Sequence, residues 1–106
     1  MASMQESMLQ KVLEVVNRSD YRMFDEPFVT GNRQGFGRDF RFTEQNSFDT
    51  IVRLSVTFYS SWMEFYINHA NRPNIETSYG KSFHFHTNAD AKFNELLEVI
   101  EKNLAR

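Results

Sequence analysis

No cysteine occurs anywhere in the 106 residues. Its absence removes disulfides, thiolate metal sites and cysteine nucleophiles together, and it argues against the kind of small secreted scaffold that depends on cross-links. Proline and glycine are scarce, at two and four residues. No repeat, low-complexity stretch or linker is visible, so a single domain spanning 1–106 is expected. No apolar run approaches the ~20 residues of a membrane span. The apolar residues between Met1 and Arg18 are separated by polar ones, unlike a secretory leader. A cytoplasmic protein without membrane attachment is the expectation. Charge of one sign is also lacking: 12 basic against 14 acidic residues leave a net charge of -2. Such a balance provides no global field to attract nucleic acid or anionic lipid.

The chain is rich in phenylalanine and, among its bases, in arginine. Eleven Phe contribute to an aromatic content of 15%, and a chain of this length buries roughly 65% of its unfolded surface, so most Phe belong in one core. Arginine supplies 8 of the 12 basic residues. Its planar fork suits carboxylates and phosphates better than lysine does.

Periodicity orders the chain. Met4, Met8, Leu9, Val12, Val15 and Val16 recur at spacings of three and four, which predicts an amphipathic helix ended by Asn17-Arg18-Ser19-Asp20. Tyr21 to Phe24 reads as a short strand interrupted by Asp25-Glu26-Pro27, with Pro27 at an edge or bend. Pairing resumes at Phe28-Val29-Thr30 before a turn at Gly31-Asn32. From Gly35 to Glu44, Phe36, Arg38, Phe40 and Phe42 share one face, with Asp39 and Arg41 on the other. The longest alternation runs from Phe48 to Tyr59, with Phe48, Val52, Leu54, Val56 and Phe58 inward. After a turn at Ser60-Ser61, the return strand sends Met63, Phe65 and Ile67 inward and Trp62, Glu64, Tyr66 and Asn68 outward. Asn71-Arg72-Pro73-Asn74 makes a loop. A last strand from Tyr79 to Thr87 places Phe83 and Phe85 inward, His84 and His86 outward. Thr87-Asn88-Ala89-Asp90 then reads as a capped helix start, and Phe93, Leu96, Leu97, Ile100 and Leu104 form an apolar stripe.

Consecutive strands with short connections must be antiparallel. The fold class expected is α+β: a two-layer sandwich of α-β-β-β-β(-β)-α order, with a four- to five-stranded antiparallel sheet and the N- and C-terminal helices on one face. That layout is similar to frataxin-like and several other small families. The acidic first helix that marks frataxins is absent, and layout alone does not assign function.

Gln34-Gly35-Phe36-Gly37-Arg38-Asp39-Phe40 resembles the aromatic ribonucleoprotein motif of RNA-recognition domains over about four residues. It departs from that motif at Arg38, where an aromatic is expected, and at Asp39, where a core residue is expected. The bland reading is a bent edge strand whose glycines permit a bulge, with Phe40 and Phe42 in the core. The glycines lead into a strand rather than a helix N-terminus, so they do not form a phosphate cradle. His84 and His86 lie about 7 Å apart on one strand face by the usual rise. Glu64 and His69 are the nearby candidates for a third metal ligand, but His69 has the wrong parity, and a catalytic zinc needs three protein ligands. No Ser or Asp is tied to either His by a recognisable catalytic spacing. No metal, cofactor or catalytic residue is therefore assigned.

The outward sheet face gathers Arg53, Tyr59, Trp62, Glu64, Tyr66, His84 and His86. Rigid rings and arginine are the types enriched at binding hot spots. The bland alternative is cross-strand pairing that only stabilises the sheet. The function expected is a non-catalytic protein-binding module, of the inhibitor or immunity-protein type, that occludes a partner's surface. The partner is another protein, or a second copy through an isologous dimer. One alternative is a nucleic-acid binder using Arg33, Arg38 and Arg41 with aromatic stacking. The other is a metal- or small-molecule-dependent enzyme centred on His84 and His86.

Overall fold

The computed structural model describes residues 3–31, 35–70, 81–86 and 88–105. Helix α1 (Met4–Val16) is followed by strands β1 (Arg22–Val29), β2 (Phe36–Thr43), β3 (Thr50–Phe58), β4 (Trp62–His69) and β5 (Lys81–His84), then by helix α2 (Ala89–Leu104). The strands form one antiparallel sheet in the order β1-β2-β3-β4-β5. Both helices lie on one face, as the single apolar side of the strands requires.

Local chemistry explains where α1 begins and how it is held. The Ser3 hydroxyl accepts from the Glu6 N–H at 3.1 Å, satisfying one of the orphan donors of the first turn. In the same first turn, Gln5 Nε2 donates to the carbonyls of Tyr59 and Ser60, which fastens the start of α1 to the β3–β4 turn. Met8, Leu9, Val12, Val15 and Val16 are buried. Met4, on the same stripe by spacing, is left exposed at the first helical position. Helix α2 buries Ala89, Phe93, Leu96, Ile100, Asn103 and Leu104, while Asp90 in its first turn and Lys102 in its last suit the helix dipole. The C-terminal turns of the two helices meet, where Arg18 pairs with Glu101 at 3.2 Å.

Between the layers, Phe40, Phe42, Phe58, Leu54, Met63 and Ile67 are fully enclosed with residues of both helices. Each such side chain contributes about 1.5–3 kcal/mol relative to exposure. Asn103 is also buried: its Nδ2 donates to the Val99 carbonyl at 2.8 Å, and its Oδ1 has no partner among the described residues.

Several expectations are corrected. Strand β1 runs without interruption through Asp25-Glu26-Pro27, and Pro27 pairs with Arg38. An outermost strand pairs on one side only, so a residue without an N–H is accommodated there. Strand β2 is not an edge, since β1 and β3 flank it. The irregularity in its pairing lies between Phe42 and Thr43 rather than at the glycines. There Phe42 faces Val52 while Thr43 faces Thr50, leaving Ile51 as an extra residue in β3. An extra residue reverses the alternation on one side of it. Phe48 shares the parity of Val52 in the sequence, yet it is 80% exposed and lies against Arg22 instead of in the core. The last strand ends at His84, with Phe85 and His86 already turning.

Asn88 precedes α2 in the left-handed region (φ 50°) and makes no side-chain cap. Asparagine tolerates that conformation better than most residues. The proposed cap at Thr87, the strand start at Tyr79, the second residue of the Gly31-Asn32 turn and the Asn71-Arg72-Pro73-Asn74 loop lie outside the described residues. No helix among the described residues is long and apolar enough to cross a membrane.

Candidate binding face

The site is the sheet surface turned away from the helices. Directly opposed residues of antiparallel strands share a face, so the register reads this surface as rows. One row runs Phe24, Arg41, Arg53, Asn68 from β1 to β4. The next runs Glu26, Asp39, Ser55, Tyr66, and the one after it Phe28, Gly37, Thr57, Glu64, Ser82. Trp62 and His84 close the far end, beside Tyr59.

The hairpin end carries a ladder of rings. Ser60 and Ser61 form the two-residue turn, closed by the Tyr59 N–H donating to the Trp62 carbonyl at 2.8 Å. This brings the ring of Tyr59 onto that of Trp62, with centroids 4.3 Å apart and planes 16° from parallel. Trp62 meets His84 at 6.4 Å, and His84 meets His86 at 5.5 Å. On its other flank Tyr59 lies over Gly35, where a built Cβ would stand 2.8 Å from the ring. Only glycine leaves the ring in that position. Tyr59 and Trp62 are half-buried, whereas His84 and His86 are exposed.

The seven candidates share this face but not one spot. Tyr59, Trp62, His84 and His86 form the ladder. Glu64 stands in the row beside it, and Tyr66, 39% exposed, lies one row further on. Arg53 is six residues from Tyr59 along β3, about 20 Å at the usual strand rise. His69 lies on the helix side opposite Val52 and is buried, so it is separated from the His84–His86 pair by the sheet itself. No three His, Asp or Glu side chains gather as a metal site among the described residues.

The arginines expected to act together on nucleic acid are not brought together. Arg38 is on the helix side, opposite Pro27 and Val56, and its Nη1 donates to Asp25 Oδ2 at 2.6 Å. Arg41 projects from the other face, and Arg33 lies outside the described residues.

Residues not anticipated for this face are Arg22, Phe24, Phe28 and Phe48. The guanidinium of Arg22 sits 4.9 Å from the ring centroid of Phe24 and 5.3 Å from that of Phe48. Arg41 lies 4.9 Å from Phe24. Phe28 covers Gly37: a Cβ there would come within 2.6 Å of the ring and would run into the Val56 carbonyl oxygen. The available signal was the shared parity of residues 22, 24, 26 and 28, visible once Pro27 is allowed inside a strand. No protein-family model, curated protein or solved structure matches this chain.

Proposed function

We propose that the chain is a non-catalytic protein-binding module acting in the cytoplasm. Its outer sheet face docks on another protein and occludes that partner's working surface, as an inhibitor or immunity-type antagonist does. The observation that carries this reading is the Tyr59–Trp62–His84–His86 ladder on the face that neither helix covers. Stacked rings already restrained by the fold lose little further freedom on binding, which is why Trp and Tyr dominate interface hot spots. Tyr66 and Arg53 extend the same surface with the residue types enriched in such contacts.

The test is capture from lysate of the native host, with and without nuclease, using wild-type protein and the Trp62→Ala/Tyr66→Ala variant. One protein recovered stoichiometrically by wild type in both runs, and lost by a variant that still unfolds cooperatively, is the expected result. Equal recovery by the variant would remove the face from the interface. Recovery of nothing, together with sedimentation as a dimer, would assign the face to self-association.

A further inference from the structure

We infer that Arg22, Arg41 and Arg53 form a receptor for clustered carboxylates, an Asp/Glu-rich segment of a protein partner. This deepens the reading above and rests on it, because it supplies the chemistry of the partner at the end of the face away from the aromatic ladder.

Three observations converge. Arg41 and Arg53 are direct cross-strand partners on the outer face, and Arg22 stands at the next position of that face on β1. Like charges in direct opposition are unfavourable unless something neutralises them. Among the described residues no acid pairs with them: the ion pairs Arg18–Glu101 and Arg38–Asp25 engage other arginines. Arg41 Nη1 reaches only the hydroxyl of Thr50, at 3.4 Å.

Two of the three guanidiniums are also held in place. Arg22 and Arg41 both lie over Phe24, and Arg22 lies against Phe48 as well. A guanidinium stacked on a ring has its face occupied and its in-plane N–H donors at the edge, where a carboxylate is received as a fork. Restraint by Phe24 and Phe48 lowers the entropy lost when an acid binds.

The surroundings select the kind of anion. Glu26 and Asp39 occupy the adjacent row of the same face. They bound the site on that side and would repel any anion, phosphate or carboxylate, that ran on across the sheet. The ring of Phe24 is already taken by Arg22 and Arg41, which removes a stacking platform for a base. A compact group of acidic side chains fits where a continuous polyanion does not.

The test uses a fluorescein-labelled peptide of clustered Asp and Glu, a neutral Ser/Gln peptide of equal length, and a single-stranded oligonucleotide of equal charge. Each is titrated with the full chain and followed by anisotropy at low and high salt. The acidic peptide should bind, weaken with salt, and exceed the other two. Arg41→Gln with Arg53→Gln should reduce its affinity at least tenfold, while Arg18→Gln should leave it unchanged. Thermal unfolding confirms that each variant is folded. No peptide binding, binding indifferent to Arg41 and Arg53, or tighter binding of the oligonucleotide overturns the inference. The Trp62→Ala/Tyr66→Ala variant separates the two levels. Partner capture that needs Trp62 and Tyr66, without arginine-dependent peptide binding, defeats this inference alone. Peptide binding retained in that variant, with no protein captured by wild type, supports the receptor and defeats the occlusion reading.

Discussion

Arg41 and Arg53 face each other directly across β2 and β3, on the exposed side of the sheet, and no acid among the described residues pairs with either. Such a pair is a cost to the folded state that a binding role would explain. Replacing one member with an acid turns the opposition into an attraction. Arg53→Glu should therefore raise stability by about 0.2–1 kcal/mol, the scale of exposed cross-strand pairs. Thermal unfolding at low salt checks this, and a lowered midpoint would show that the arginines are not in conflict.

Two glycines should respond very differently to one methyl group. At Gly37 a Cβ meets the Val56 carbonyl oxygen, a backbone atom of the neighbouring strand that cannot turn aside. Gly37→Ala should cost about 1–3 kcal/mol, the usual range for overpacking, and adding Phe28→Ala should not restore it. At Gly31 a Cβ meets nothing within 4 Å, so Gly31→Ala should be neutral or slightly stabilising. Denaturant midpoints for the three variants test the contrast.

Phenylalanine content alone does not identify the core, and two substitutions expose the difference. Phe40 is fully buried, and Phe40→Ala should cost about 3–5 kcal/mol. Phe48→Ala should change stability by no more than about 0.5 kcal/mol, because the ring is 80% exposed. Comparable losses in urea unfolding would contradict the outward turn of Phe48.

Tyr59 and Trp62 are stacked closely enough to be coupled. A double-mutant cycle on Tyr59→Leu and Trp62→Leu should yield an interaction of about 0.5–1.5 kcal/mol beyond the single losses. Trp62 is the sole tryptophan, so its fluorescence reports this contact without interference. Strict additivity would mean that the rings do not remain stacked in solution.

The buried carbonyl oxygen of Asn103 offers a different kind of test. An unpaired buried acceptor costs about 1–3 kcal/mol of desolvation. Asn103→Leu, which keeps the branched outline and heavy-atom count without a polar atom, should hold or increase stability, whereas Asn103→Ala leaves a void and should reduce it. The ordering of their unfolding midpoints decides the matter.

Strands covered on one face were legible because burial imposes a period of two. Val52 to Phe58 and Met63 to Ile67 alternate cleanly and fold as their alternation requires. The stripe of α2 was equally plain, apart from Asn103, whose polarity hides its burial. What the pattern concealed had local causes. Pro27 and two acids broke the apparent strand at β1, and with it the outward placement of Phe24 and Phe28. The extra residue at Ile51 changed the face of Phe48 without any glycine or proline to announce it. Rows across strands depend on register, so the meeting of Arg22, Arg41 and Phe24 could not be read from one strand at a time.

The sheet's spatial order repeats the order of the chain, and this bears on how the molecule reaches its fold. Every strand finds its partner among its immediate neighbours in sequence, so each successive hairpin closes with a modest loss of chain entropy. The long-distance closure is the meeting of the helices, represented by the Arg18–Glu101 pair 83 positions apart. Such a chain can assemble its strands by local zipping and leave the joining of its two ends as the step that excludes water from the core. Low sequence separation between most contacts favours rapid folding; a nick within the sheet would turn that final closure into a meeting of two fragments and burden it, whereas a circular rearrangement that joins the two ends would ease it.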